Sequence, residues 1–232
     1  MTIAENVAAI RARMAQAAKE AGRDPGGILL CAATKMNDAE RVKEAVAAGV
    51  DCCGENRVQE LTAKLPLGAY EGRPVHFIGH LQTNKVKYVV GAVDLIQSVD
   101  REDLLACIQK EAAKKNVIQD VLLEVNVGGE ESKSGFTPAQ ALAMAGRMGE
   151  FPNVRLKGLM AIPPVAEGHS NRRFFAEMRA LGVDITDKKY DNVTMEHLSM
   201  GMSGDFADAI LEGSTMIRVG TAIFGARDYT KK

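Results

Sequence analysis

The stretch Ile28-Leu29-Leu30-Cys31-Ala32-Ala33-Thr34-Lys35-Met36-Asn37 decides between the two folds that the rest of the chain permits. Its first half is apolar or small without a two-residue polar alternation, as in a parallel strand covered on both faces. The turn that follows, Thr34-Lys35-Met36-Asn37, lacks the Gly-x-Gly-x-x-Gly of a dinucleotide-binding sheet at the place where that fingerprint belongs. Outward from this stretch, β-rich runs at 50–53, 75–79, 95–99, 121–127, 154–162, 193–199 and 215–219 alternate with helical patterns. About eight strands and as many helices, with no linker rich in Pro, Ser or charge, predict an α/β fold. The expected architecture is a single-domain (β/α)8 TIM barrel over residues 1–232, with a Rossmann-like sheet as the runner-up.

The helices carry their own punctuation. Ile3, Val7, Ile10, Met14 and Ala17 recur at helical spacing with charges between them, so the chain opens on an amphipathic helix rather than a signal peptide. Asn37 with Glu40, Thr137 with Pro138 and Gln140, and Ser170 ahead of Phe174, Met178 and Leu181 each look like an N-cap. Gly49, Gly182 and Gly213 are expected just past helix ends, where a positive φ suits glycine.

Composition excludes several functions. The 232 residues carry 29 Lys+Arg against 30 Asp+Glu, which rules out nucleic-acid binding driven by bulk charge. With 46% hydrophobic and 25% charged residues the chain can bury a real core. No apolar run approaches the roughly 18 residues that suggest a bilayer span. Cys31, Cys52, Cys53 and Cys107 have neither disulfide-scaffold density nor zinc-ligand spacing along the chain, so they are expected to be reduced thiols in a cytoplasmic protein, with no metal. No apolar stripe is left over, and a monomer is expected.

In a barrel, reactive groups belong at the C-terminal strand ends, and Lys35 occupies the first of them. An ammonium against apolar wall loses hydration, its pKa falls, and the neutral amine can attack a carbonyl. A plain surface lysine is the alternative. The loops at 199–205 and 217–225 are rich in Gly, Ser and Thr and follow the last two strands, where barrels bind phosphate through backbone N–H groups. Ser203 as a simple helix cap and the glycines as simple turns would explain the same residues. Strand eight pairs with strand one in a closed barrel, so an aldehyde and a phosphate on one ligand would bridge the two sites. Pyridoxal 5′-phosphate has that shape. Arg218 would then meet the ring nitrogen as a donor that leaves it neutral, which favours holding the cofactor over deep carbanion chemistry.

At this point Cys31 through Lys35, Gly54-Glu55-Asn56, His76 through Lys85, Glu131 through Gly135, Gly158 through Pro163, Leu198 through Asp205 and Ile217 through Arg227 together resemble the pyridoxal phosphate homeostasis proteins, the YggS/PROSC family. The resemblance implies a barrel similar to the N-terminal domain of alanine racemase, with the cofactor on Lys35 as an internal aldimine. It implies Asn56 near the ring, Arg218 near the ring nitrogen, and Ser199, Ser203, Gly220 and Thr221 near the phosphate. Arg57 departs from the aromatic residue that many relatives have there. Alanine racemases take a second base from a further β-domain that this sequence is not expected to have. Intracellular cofactor supply without robust turnover is therefore the leading reading, with apo-enzymes as recipients. A weak amino-acid racemase is the alternative, and a barrel for another phosphorylated metabolite is the third. His80, Lys133 and Met160 are secondary candidates: His80 to line the mouth, Lys133 to reach an anion or receive the aldehyde. For Lys133 a solvated loop lysine is the alternative. His76 and His197 are expected to be strand residues.

Overall fold

A computed structural model describes residues 1–130, 133–164 and 171–225. Helix α1 (Ile3–Glu20) comes first, and then strands and helices alternate: β1 (Leu29–Ala33), α2 (Ala39–Ala47), β2 (Cys52–Glu55), α3 (Val58–Lys64), β3 (Val75–Phe77), α4 (Val86–Val89), β4 (Leu95–Val99), α5 (Glu102–Lys115), β5 (Gln119–Val125), α6 (Pro138–Ala145), β6 (Val154–Ala161), α7 (Arg172–Lys188), β7 (Val193–Ser199), α8 (Phe206–Leu211), β8 (Met216–Val219) and α9 (Thr221–Phe224). The eight strands form a closed barrel in sequence order, every pair parallel. The barrel expectation holds, and the doubly wound alternative falls because β8 pairs β1 over Leu29 to Ala32.

Alternation along each strand divides the interior in two. Outward side chains such as Leu30, Ala32, Phe77, Ile96, Leu123 and Val219 join the helices in one continuous core. Inward ones form a smaller cluster in the lumen: Cys31, Cys52, Leu95, Leu122, Met160 and Met216. That is why several of the strands read as apolar runs without alternation. Helix α1 buries the expected stripe, Ile3, Val7, Ile10, Met14 and Ala17, and Asn6 Nδ2 donates to Ile223 O beside α9 (2.8 Å). Among the described residues no helix is long and apolar enough to cross a membrane, and all four cysteines are free thiols.

Several boundaries differ from the sequence reading for identifiable reasons. Strand β2 begins at Cys52 because Val50 closes the end of α2: Gly49 takes φ +94, its N–H bonds Val46 O, and the Val50 N–H reaches back to Ala45 O. The α2 N-cap is Asp38, whose carboxylate accepts from Arg41 N (2.9 Å). Asn37, the expected cap, instead accepts from the Arg41 guanidinium (3.0 Å). Gly182 does not end a helix. It lies inside α7, where an added Cβ would meet Leu198 Cδ2 at 3.1 Å, so the glycine lets α7 lie close on β7. The helix stops at Lys189, in the left-handed region at φ +53. Thr137 caps α6 with the full reciprocal box to Gln140, as expected, and Gly213 follows α8 at φ +105. Ser170 lies outside the described residues, and Asn171 holds the cap position of α7. Glu131, Ser132 and residues 226–232 also lie outside them.

Candidate functional site

The turn after β1 is built by its backbone. Thr34 N–H continues the ladder to Gly54 O (2.9 Å), and Asn37 N–H closes back on Thr34 O (3.2 Å). Met36 is forced to φ +61, a strained setting for a residue with a Cβ, and its N–H is held by Glu60 Oε2 (2.7 Å). Lys35 therefore sits at the C-terminal end of β1, half-buried in a turn that the neighbouring backbone fixes. Behind this turn, on the outer face of the sheet, Glu55 Oε1 accepts from Thr34 Oγ1 (2.5 Å), Lys64 Nζ (2.8 Å) and Tyr70 Oη (3.1 Å). Lys64 Nζ also donates to Thr34 O (2.9 Å). Burial, and then the Glu55 charge, push the Tyr70 hydroxyl well up, so it stays a donor. One residue on from Glu55, the Asn56 backbone is roofed by Gly79, where a Cβ would stand 2.2 Å from Asn56 O. The Asn56 amide oxygen is buried without a hydrogen-bond partner among the described residues.

The loops after β7 and β8 meet each other and β1. Ser203 Oγ accepts from Ala222 N (3.4 Å), joining them directly. Gly201 takes φ +93 with Ala209 Cβ only 2.6 Å from where its own Cβ would be, so no side chain fits there. A Cβ on Gly220 would stand 3.2 Å from Ala33 O, so the β8 loop lies against the end of β1. Asp205 holds the N-cap position of α8 without a side-chain cap bond; its Oδ1 accepts from Met202 N (2.7 Å) and its Oδ2 from Asn171 Nδ2 (2.9 Å).

A polar column fills the lumen beneath. Arg218, fully buried, donates from Nη1 to Ser199 Oγ (2.6 Å) and from Nη2 to Ala161 O (2.9 Å). Ser199 in turn donates to Gln97 Oε1 (2.6 Å). Gln97 Nε2 lies 2.9 Å from His76 Nδ1 and 3.1 Å from Met216 Sδ. Desolvation pulls the Arg218 pKa down, yet a guanidinium remains charged. At the column's foot the Cys52 hydrogen bond, helped by His76 and Arg218 and opposed by burial, lowers the Cys31 thiol. Glu124, inward on β5, is pushed up to about 7 by burial and by the nearby Asp100 charge.

The expected site residues thus fall at different depths. Lys35, Asn56, Ser203, Gly220 and Thr221 gather at the C-terminal strand ends, and Arg218 lies inside, in register with Cys31 on β1. Ser199 is buried, with its hydroxyl committed to Arg218 and Gln97. His80 is exposed and pairs through Nδ1 with Asp100 (3.1 Å). Lys133 is ion-paired to Glu130 and reaches Pro163 O (3.4 Å), while Met160 lies in the lumen cluster. Arg57 points out, 68% exposed, 4.0 Å from Glu60. The sequence reading missed Gln97, Glu124 and the Glu55–Lys64–Tyr70 group. The signal was present in the first two, because a Gln or a carboxylate inside an apolar two-faced strand needs a partner.

Residues 4–228 match the family model described as alanine racemase, N-terminal domain. A pyridoxal phosphate homeostasis protein of Aquifex aeolicus is 44% identical over 230 residues, covering 99% of this chain and 100% of that one. The protein of the same name from Escherichia coli K12 is 39% identical over 234 residues, 99% of each. Among solved structures, a Bifidobacterium adolescentis protein described as unknown superposes with a TM-score of 0.89 at 41% identity, over 96% of this chain and 94% of the other. PipY of Synechococcus elongatus, described with PLP bound, gives 0.82 at 31%, over 97% and 100%. An alanine racemase of Clostridium difficile, at 13% identity and a TM-score of 0.74, shares the fold over 56% of its length. With relatives matched end to end and the same closed barrel beneath them, the chain belongs to the pyridoxal phosphate homeostasis protein family, on the barrel of the alanine racemase N-terminal domain.

Proposed function

We propose that the chain binds pyridoxal 5′-phosphate at the C-terminal mouth of its barrel, covalently through the Lys35 amine, and serves intracellular supply of that cofactor rather than turnover of a substrate. The observation that carries this reading is the adjacency of the β1 end, bearing Lys35, to the joined β7 and β8 loops, packed at the Gly220–Ala33 contact.

The donors and acceptors present fit the group. The cofactor brings an aldehyde that condenses with an amine, a ring nitrogen that accepts a hydrogen bond, a ring hydroxyl and a phosphate. Lys35 supplies the amine, and the loops around Gly201, Ser203, Gly220 and Thr221 supply small residues and backbone N–H groups for the phosphate. The buried Asn56 oxygen, unpartnered among the described residues, is an acceptor for the ring hydroxyl. Arg218, with no carboxylate within ion-pair distance among the described residues, is the donor for the ring nitrogen. A donor that keeps its proton leaves that nitrogen neutral, which suits storage better than carbanion stabilisation. His80 and Lys133 are assigned to the rim, where transfer to an apo-enzyme would begin, and Met160 to the lumen floor. The protein acts as a cytoplasmic monomer over a single barrel domain, residues 1–232.

Borohydride reduction of the holo-protein followed by peptide mapping tests the attachment: the label falls on Lys35, and Lys35→Ala loses both label and colour. A label elsewhere, or none, overturns the assignment. Incubation with L-amino acids in deuterated water tests the rest, since rapid α-proton exchange would make the protein an enzyme.

A further inference from the structure

Cys31 and Cys52 are distant in sequence and carry no metal-binding spacing, but the barrel register sets them opposite each other on β1 and β2. His76 joins them from β3. The two Sγ atoms and a ring nitrogen of His76 all lie within 4.8 Å of one another, and all three residues are buried. We propose that Cys31, Cys52 and His76 form a site for one divalent cation of the zinc class inside the barrel, below the mouth and separate from the Lys35 site.

The donor chemistry selects the ion. Two thiolates and an imidazole are a zinc ligand set, and the two sulfur charges neutralise the cation, so the occupied site adds no net charge to the lumen. Binding releases the two thiol protons to solvent with no change of oxidation state. In a tetrahedral site the sulfurs stand about 3.8 Å apart, so the donors close in by side-chain rotation while the strands hold their places. Leu95, Leu122, Met160 and Met216 pack beside the three donors, and a water on the side of the polar column takes the fourth position of the tetrahedron. Gln97 already holds His76 at Nδ1 (2.9 Å), which leaves Nε2 as the ligating nitrogen. Coordination there puts the ring proton on Nδ1, and the Gln97 amide, turned over, offers Oε1 to it, the orienting bond that ligating histidines use. So closed a site loads as the chain folds.

The test measures metal in the full-length chain. Protein made in zinc-supplemented cells, or refolded with zinc under reducing conditions, is expected to hold one equivalent. Cys107→Ser keeps it, whereas Cys31→Ser, Cys52→Ser and His76→Gln bind at least about tenfold more weakly. Refolding with cobalt(II) gives the sulfur-to-metal charge-transfer and visible bands of a tetrahedral thiolate site. Because serine in the lumen can itself unfold the barrel, the unsubstituted chain is read as well: its unfolding midpoint rises with zinc and falls back with chelator. A zinc-free chain whose midpoint ignores both, or full metal content retained in Cys52→Ser and His76→Gln, overturns the site.

Discussion

Lys64→Met removes the only cation that touches Glu55 among the described residues. The Glu55 side chain is 0% exposed and that of Lys64 8%, so solvent cannot replace the lost partner. Breaking one half of a buried pair costs about 3–5 kcal/mol, because the remaining charge stays buried and uncompensated. Here the upper part of that range applies: among the described residues Oε2 of Glu55 has no partner even in the intact protein, and Thr34 O loses one of its two donors, keeping only the Asn37 N–H. Against the roughly 5–15 kcal/mol that holds a domain folded, the loss is large. Adding Glu55→Gln removes the stranded charge while leaving an oxygen for the Thr34 and Tyr70 hydroxyls, so the double variant should be more stable than Lys64→Met alone. Urea unfolding followed by far-ultraviolet circular dichroism, compared at equal slope, gives both numbers. A loss below about 1 kcal/mol for Lys64→Met, the value of an exposed pair, or a double variant no better than the single one, refutes the reasoning.

Gly158→Ala should abolish soluble expression: the residue sits at φ +148, and an added Cβ would stand 1.9 Å from His197 O, inside the β6–β7 ladder. Gly27→Ala, where nothing lies within 4 Å and φ is ordinary, is its control and should match the parent in yield. Glu124 titrates about 7 in the fold and near 4.5 unfolded, so the native state binds the extra proton between those values and stability falls as pH rises through that window. Glu124→Gln should flatten this slope and gain up to about 3 kcal/mol at pH 8, by the free energy equivalent of the shift; unchanged pH dependence of the urea midpoint would count against the burial argument. Lys35→Ala should lose borohydride labelling and keep its unfolding free energy within about 1 kcal/mol of the parent, because the backbone bonds of Thr34, Met36 and Asn37 remain to fix the turn.

The barrel was legible because its grammar is local. Several strands announced themselves as two-faced apolar runs, though β7 alternates half-buried and exposed residues over most of its length, and strict alternation with capped helices leaves little choice of topology. The position of Lys35 was legible for a related reason: the strand pattern itself puts it just past the C-terminal end of β1. What stayed hidden depends on register. Cys31 faces Cys52 only because Ala32 pairs Cys53 and not a neighbour, and a one-residue slip of either strand would send its thiol to the outer core. Gly182 misled because the demand it meets, close approach to Leu198, lies in another element. A glycine needed for space and a glycine needed for φ look alike in sequence.

The two polar networks meet on one strand from opposite sides. Thr34 is held outside the sheet by Glu55 and Lys64, while Cys31, three residues earlier, touches the luminal chemistry that runs through His76, Gln97 and Ser199 to Arg218. Both networks are buried, and a half-satisfied buried network is worse than an apolar core. They are therefore expensive ways to hold a strand whose ladder to β2 and β8 already exists. What they add is position: the end of β1 is fixed in two perpendicular directions, toward α3 and toward the barrel axis. On the proposed attachment, Lys35 would present its amine repeatedly to the same small molecule and would need that, because misplacement by about 1 Å can cost about a hundredfold in a reaction between oriented groups.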